Sequence, residues 1–100
     1  MTEEEKVTMR GYWTTEAGQH GIPEHMVEGV VAYIVDHQKP GGFLGDLLSG
    51  RWPRAIAHAD KDNQEALAQW GKFLFFSVPA VAYGSAEKVK DWLEQSEESS

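Results

Sequence analysis

Four histidines are the residues with the most direct potential for chemistry, since the chain contains no cysteine and imidazole is the other common zinc ligand. His20 and His25 lie five residues apart with Pro23 between them, which misses the four-residue spacing that places two ligands on one helix face. His37 and His58 have no second histidine at ligand spacing. We therefore expect no metal and no cofactor, and we interpret the histidines as surface or helix-cap residues.

Hydroxyl and carboxyl groups are the next candidates for catalysis. Ser49, Ser77 and Ser85 lie outside any Gly-x-Ser-x-Gly motif, and Ser85 has the position of a helix N-cap. Asp60 and Asp62 form a carboxylate pair, but both are in a polar break where aspartate commonly caps a helix. The residues predict a protein that is not an enzyme, and a hydrolase with an unrecognised site is kept as an alternative.

Arg51, Trp52 and Arg54 form the one local patch that combines basic and aromatic side chains. Arginine binds phosphate and tryptophan stacks on bases, so the patch is a candidate nucleic-acid site. A formal net charge of -7 opposes this, because most nucleic-acid binders attract phosphate with a strongly basic surface. Weak nucleic-acid binding is therefore the alternative function, and a nucleic-acid partner is not the leading expectation.

Aromatic side chains are abundant for so short a chain, with four tryptophans, four phenylalanines and three tyrosines in 100 residues. Aromatic residues either close the core or anchor a partner, because they are enriched among the residues that dominate interfaces. Tyr12 and Trp13 lie outside the predicted helices, and Phe75 points away from the apolar side of its own helix. These three are the candidate partner-binding residues, and the aromatic surplus also suggests a homodimer.

Helical periodicity dominates the chain between these candidates. A wide apolar stripe follows Pro23, which suits a first helical position, and a Pro-Gly-Gly sequence beginning at Pro40 ends the stripe. Pro53 opens a short helix, Pro79 ends a longer one, and Ser85 caps the last. The pattern predicts helices over about 23–37, 43–49, 53–59, 63–78 and 86–95.

The predicted helix over 63–78 is the most apolar of these and is placed at the centre of the fold. Phe73 to Phe76 are consecutive and, at 100° per residue, cover most of the helix circumference. We expect Phe73, Leu74 and Phe76 to be buried, and Phe75 to face outward.

The domain organisation follows from these elements. Residues 22–95 are predicted to form a compact all-α bundle of four to five short helices. Residues 7–21 are predicted to form an N-terminal arm, partly extended and folded onto the bundle through Tyr12 and Trp13. Residues 1–6 and 96–100 are acidic or polar and aperiodic, which is typical of disordered ends.

The chain has no features of export. Its first residues include Glu3, Glu4 and Glu5, unlike the basic start of a signal peptide, and no apolar run approaches the roughly 18 residues of a membrane span. We expect a cytoplasmic protein that does not associate with membranes.

Several short motifs lie between residues 22 and 93. The chain resembles a group of small uncharacterised helical proteins encoded by tailed bacteriophages and prophages, in the following motifs: Pro40-Gly41-Gly42-Phe43-Leu44, Ala59-Asp60-x-x-Asn63 and Gly84-Ser85-x-Glu87-Lys88-Val89-x-x-Trp92-Leu93. That family has no assigned reaction, so no residue role is carried over. The resemblance implies the cytoplasm of an infected or lysogenic bacterium. Together with the missing catalytic motifs, it predicts an accessory protein that binds an unknown host or phage protein.

Overall fold

A computed structural model describes residues 2–98, with side chains described as far as Gln95. Within these residues the chain is helical and contains no strand, which confirms the all-α class. A short 3-10 turn, Ala80–Ala82, separates the last two helices. The α-helices are α1 Glu3–Gln19, α2 Glu24–Asp36, α3 Gly42–Leu48, α4 Trp52–His58, α5 Lys61–Glu65, α6 Leu67–Phe76 and α7 Ala86–Glu98.

The predicted count of four to five helices is too low for two reasons. The segment predicted as an arm is a helix, and the predicted helix over 63–78 is two helices. The last helix ends at Glu98, beyond the predicted Gln95, so the predicted tail of 96–100 overlaps α7. Met1, Ser99 and Ser100 lie outside the described residues.

Helix α1 corrects the prediction of a disordered 1–6 and an extended 7–21. Thr2 caps its start: the Thr2 hydroxyl accepts from the Glu5 backbone N–H at 3.1 Å and donates to the Glu5 carboxylate at 3.1 Å. The Thr-x-x-Glu spacing that provides this cap was not used in the prediction; Gly11 and Gly18 disfavour a helix, and the segment lacks an apolar stripe. Only Trp13 and Ala17 of α1 are buried.

Packing against the rest of the molecule stabilises α1. The Trp13 ring lies edge-on to the ring of Phe73 in α6, with centroids 6.2 Å apart. Arg10 donates to Asp36 at the end of α2 over 2.6 Å. The segment therefore packs onto the bundle, as expected for the arm, but does so as a helix.

The break between α5 and α6 lies at Ala66. Asp60 caps α5 by accepting from the Asn63 N–H at 2.9 Å, as predicted for this polar segment. The Ala66 N–H then bonds back to both Asp62 and Asn63, a tight turn that ends the short helix. Asn63 is buried before this break, and its side chain accepts from the Trp70 indole N–H at 3.0 Å. A buried amide is thus satisfied, which explains why polar Asn63 is tolerated in the interior.

The centre of the core is α6, as predicted, with Trp70, Phe73 and Leu74 buried. Phe75 is exposed, also as predicted. The expectation that Phe76 is buried is wrong, because at 100° per residue Phe76 lies roughly 120° around the helix from Trp70, away from the side that Trp70 and Leu74 bury. The buried apolar residues that surround α6 come from every helix except α5 and include Trp13, Ala17, Val30, Tyr33, Ile34, Leu44, Leu47, Leu48, Ala55 and Val89.

The C-terminal end of α2 holds α7 and the 3-10 turn in place. The Tyr33 hydroxyl is buried and donates to the Ala82 carbonyl at 2.6 Å. The Trp92 indole N–H donates to the Tyr33 carbonyl at 2.8 Å. Burial raises the pKa of Tyr33 well above the usual range for tyrosine.

Replacing Tyr33 with phenylalanine is expected to lower the free energy of unfolding by about 1–2 kcal/mol, because the buried Ala82 carbonyl loses its partner. Since the pKa of Tyr33 is raised on folding, its contribution is complete below about pH 10, the usual pKa of tyrosine, and falls at higher pH. Urea denaturation should show the advantage of the wild type over Tyr33→Phe shrinking above pH 10. An advantage that grows with pH would contradict the buried hydrogen bond assigned to Tyr33. Tyr12 and Tyr83 are present in both proteins, so their titration does not affect the difference.

Candidate functional site

Two adjacent phenylalanines are exposed at the end of α6. Phe75 is 74% exposed and Phe76 is 71% exposed. Their rings meet edge to face with centroids 5.0 Å apart. We call this pair the Phe75–Phe76 surface, and it is the largest aromatic area that the described residues leave open to solvent.

The helix that carries this pair ends directly after Phe76 and lies beside α4. The Ser77 N–H bonds to the Phe73 carbonyl at 2.9 Å and ends the helix directly after Phe76. Gly71 lies four residues before Phe75, on the same side of the helix. The edge of the Trp52 ring is close to Gly71, and a Cβ added there would lie 3.9 Å from it. Helix α4 therefore lies beside the face that presents Phe75.

The two predicted residues of α1 differ in accessibility. Tyr12 is 57% exposed and its ring lies edge-on to Trp13, with centroids 5.2 Å apart. Trp13 is buried against Phe73 and has no surface to offer, so its assignment as a partner-binding residue is corrected to a core role. The reason is that α1 packs as a helix, which turns Trp13 inward and Tyr12 outward.

The predicted nucleic-acid patch is arranged around a carboxylate. Asp46 of α3 lies 3.9 Å from the Arg51 guanidinium, 3.8 Å from that of Arg54 and 3.4 Å from the His58 ring. These separations exceed hydrogen-bond length, so Asp46 balances part of the positive charge without occupying the guanidinium donors. Trp52 is half-buried against the core, which limits its ring for stacking on a base.

A serine, a histidine and a glutamate meet where α1 reaches the end of α6. The Ser77 hydroxyl donates to the Glu16 carboxylate at 2.8 Å and lies 3.0 Å from His20 Nε2. In a nucleophilic serine site the hydroxyl donates to histidine, and the carboxylate holds the opposite ring nitrogen. Here the Ser77 hydroxyl donates its hydrogen bond to Glu16, and the Glu16 carboxylate lies 3.5 Å from the same Nε2. This arrangement joins α1 to α6 and does not activate the serine.

His25 and Asp60 form a second contact between distant parts of the chain. His25 Nε2 lies 2.9 Å from Asp60 Oδ2, at the edge of a cavity of about 350 Å³ that Met26, Phe43 and His58 also line. The hydrogen bond from the Asn63 N–H lowers the pKa of Asp60. Both groups of the pair are close to half exposed, and the described residues contain no set of three His, Asp or Glu side chains that could hold a metal ion.

Comparisons of this chain with known protein families, with curated proteins and with solved structures find no match. Within residues 2–98, no helix combines the length and the apolar character needed to cross a membrane.

Phe76 and the neighbouring Lys72 were not among the predicted site residues. Phe76 was assigned to the core because an apolar run does not indicate which side of the helix its neighbours cover. Lys72 was not considered, although it precedes Phe75 and Phe76 by three and four residues and so shares their side of α6. A signal was available: Lys72 is the only charged residue between positions 66 and 86.

Proposed function

We propose that this protein is a non-enzymatic binding domain that contacts a partner protein through the Phe75–Phe76 surface. The resemblance to phage-encoded proteins supports an accessory role in the bacterial cytoplasm, with a host or phage protein as the partner. Tyr12 on α1 is a second, separate contact residue.

The exposure of Phe75 and Phe76 carries this proposal. A phenylalanine side chain returns about 1.5–3 kcal/mol when it leaves water, so two adjacent rings held in solvent represent binding free energy not used by the fold. Rigid aromatic side chains also lose little conformational freedom on binding, and they are enriched among interface residues with large effects.

The area of the pair indicates the role it can have. Two phenylalanines at this exposure present roughly 300 Å², against the roughly 800 Å² that each partner contributes to an interface of standard size. Phe75 and Phe76 therefore form the centre of an interface, and surrounding polar residues must complete it.

Capture from bacterial extract tests this proposal with three forms of the protein. The double variant Phe75→Ala, Phe76→Ala is expected to weaken binding of a captured protein by at least about 30-fold, since each residue of this kind contributes about 2 kcal/mol at an interface centre and the two contributions overlap in part. The control Val7→Ala removes an exposed apolar side chain from α1, where the proposal places no contact at Val7, and should retain the partner.

Alanine favours helix, and both target rings are exposed, so the double variant should melt within a few degrees of the wild type. The same set of captured proteins with all three forms would show that the Phe75–Phe76 surface is not the contact.

A further inference from the structure

Acidic residues are distributed unevenly along this chain. All 16 Asp and Glu residues lie outside two segments, 47–59 and 66–86. The basic residues in these segments are Arg51, Arg54 and Lys72. The two segments are therefore positively charged in a chain whose net charge is -7.

The fold places these two segments side by side. The first contains α4 and the second contains α6, and the Trp52 ring meets α6 at Gly71. Four of the six large apolar residues that the structure leaves exposed also lie in these segments: Ile56, Phe75, Phe76 and Val81. Exposed apolar area and positive charge thus occur together, on elements without a carboxylate of their own.

Lys72 is the charged group nearest to the aromatic pair along α6. It lies one helical turn before Phe75 and Phe76, a separation of about 5–6 Å between Cβ atoms. Lys72 is exposed and makes no ion pair within the described residues, so its ammonium group is free to meet a carboxylate of another molecule.

Two acidic residues from other helices approach this region, and both are engaged. Glu16 of α1 accepts from Ser77 and lies beside His20. Asp46 of α3 is 13% exposed and lies among Arg51, Arg54 and His58. Neither carboxylate pairs with Lys72.

We infer that the Phe75–Phe76 surface, with Lys72, binds an acidic amphipathic helix of another protein, an inference that rests on the proposed function. Apolar side chains of that helix cover the two rings, and a carboxylate one turn away pairs with Lys72. This spacing is natural for a helix, where residues three and four apart share a face. Two copies of this surface facing each other would bring lysines together without acids, so a symmetric dimer through it is not favoured.

Three synthetic helical peptides test the inference. All three have the same stripe of leucines. The remaining positions are Glu in the first peptide, Gln in the second and Lys in the third. With the wild-type protein at low salt, the Glu peptide should bind at least tenfold more tightly than the Lys peptide, with the Gln peptide between them. The difference should shrink as salt screens the charges. Phe75→Ala should also weaken the binding of the Glu peptide.

Charge reversal locates the effect. Lys72→Glu should weaken the binding of the Glu peptide and strengthen the binding of the Lys peptide. The matched control Lys61→Glu makes the same change in net charge at the start of α5, outside both segments, and should shift the affinities much less. Equal effects of the two reversals would show a response to net charge alone and would overturn the inference.

Other outcomes are equally decisive. Equal binding of all three peptides, or of none, overturns an acidic partner. Sedimentation that shows self-association lost in Phe75→Ala would make a second copy the occupant, which also overturns the inference. A further outcome is that the Glu peptide shows no preferred binding while the double variant Phe75→Ala, Phe76→Ala no longer captures a protein that the wild type captures from extract. In that case the proposed function stands and only the acidic helix is rejected.

Discussion

Replacing Phe73 with alanine is expected to lower the free energy of unfolding by about 3–5 kcal/mol, the range for deleting a packed aromatic side chain. The Phe73 ring is fully buried and contacts Trp13 of α1, His20 and Trp70. Its loss leaves a cavity at the point where α1 meets α6. Since domains of this size are stable by about 5–15 kcal/mol, the variant should lose a substantial share of its stability and unfold at a clearly lower urea concentration.

Phe76→Ala is the matched control, because it makes the same change in the same helix at a ring that is exposed. It should alter the free energy of unfolding by no more than about 0.5 kcal/mol, as surface substitutions usually do. Urea denaturation followed by circular dichroism measures both variants. Similar losses for the two would mean that α6 does not present its faces as described here.

Replacing Gly50 with alanine is expected to lower the free energy of unfolding by about 2–3 kcal/mol, through two effects that add. Gly50 follows α3 with φ +80°, a left-handed conformation that disfavours a side chain by about 1–2 kcal/mol. An added Cβ would also lie 2.7 Å from the Gly84 carbonyl oxygen, so backbone must move. That movement weakens the bond from the Gly84 N–H to the Leu48 carbonyl, now 2.7 Å long.

Gly29→Ala makes the same chemical change where the structure predicts the opposite sign. Gly29 lies inside α2 on an exposed face, and an added Cβ would meet nothing within 4 Å. Alanine in a helix interior is favoured over glycine by about 0.5–1 kcal/mol, so this variant should melt at a higher temperature. If both variants lost stability to the same extent, the close approach of Gly50 to Gly84 would be wrong.

Local signals were sufficient for most of the helical part of the chain. Proline and glycine positions and the apolar stripes predicted α2, α3, α4 and α7 to within a few residues. The caps at Asp60 and Ser85 are confirmed by hydrogen bonds to the Asn63 and Lys88 N–H groups. These features are encoded by neighbours in the sequence, which is why they could be derived without a fold.

Contacts between distant residues determined what was missed. Helix α1 has a weak apolar face, and it is stabilised by Trp13 on Phe73 and by Arg10 on Asp36. The break at Ala66, where the backbone N–H bonds back to both Asp62 and Asn63, is not marked by a proline or a glycine.

The candidate site shows the same division. The sequence by itself determined that Phe75 faces away from the buried side of its helix, because that follows from 100° per residue. It also determined that no acid lies between residues 66 and 86. Only the tertiary structure decided that Phe76 is exposed and Trp13 is buried, since burial depends on which helix covers a given face. That choice is made by packing among α1, α4 and α6, whose contacting residues lie far apart in the chain.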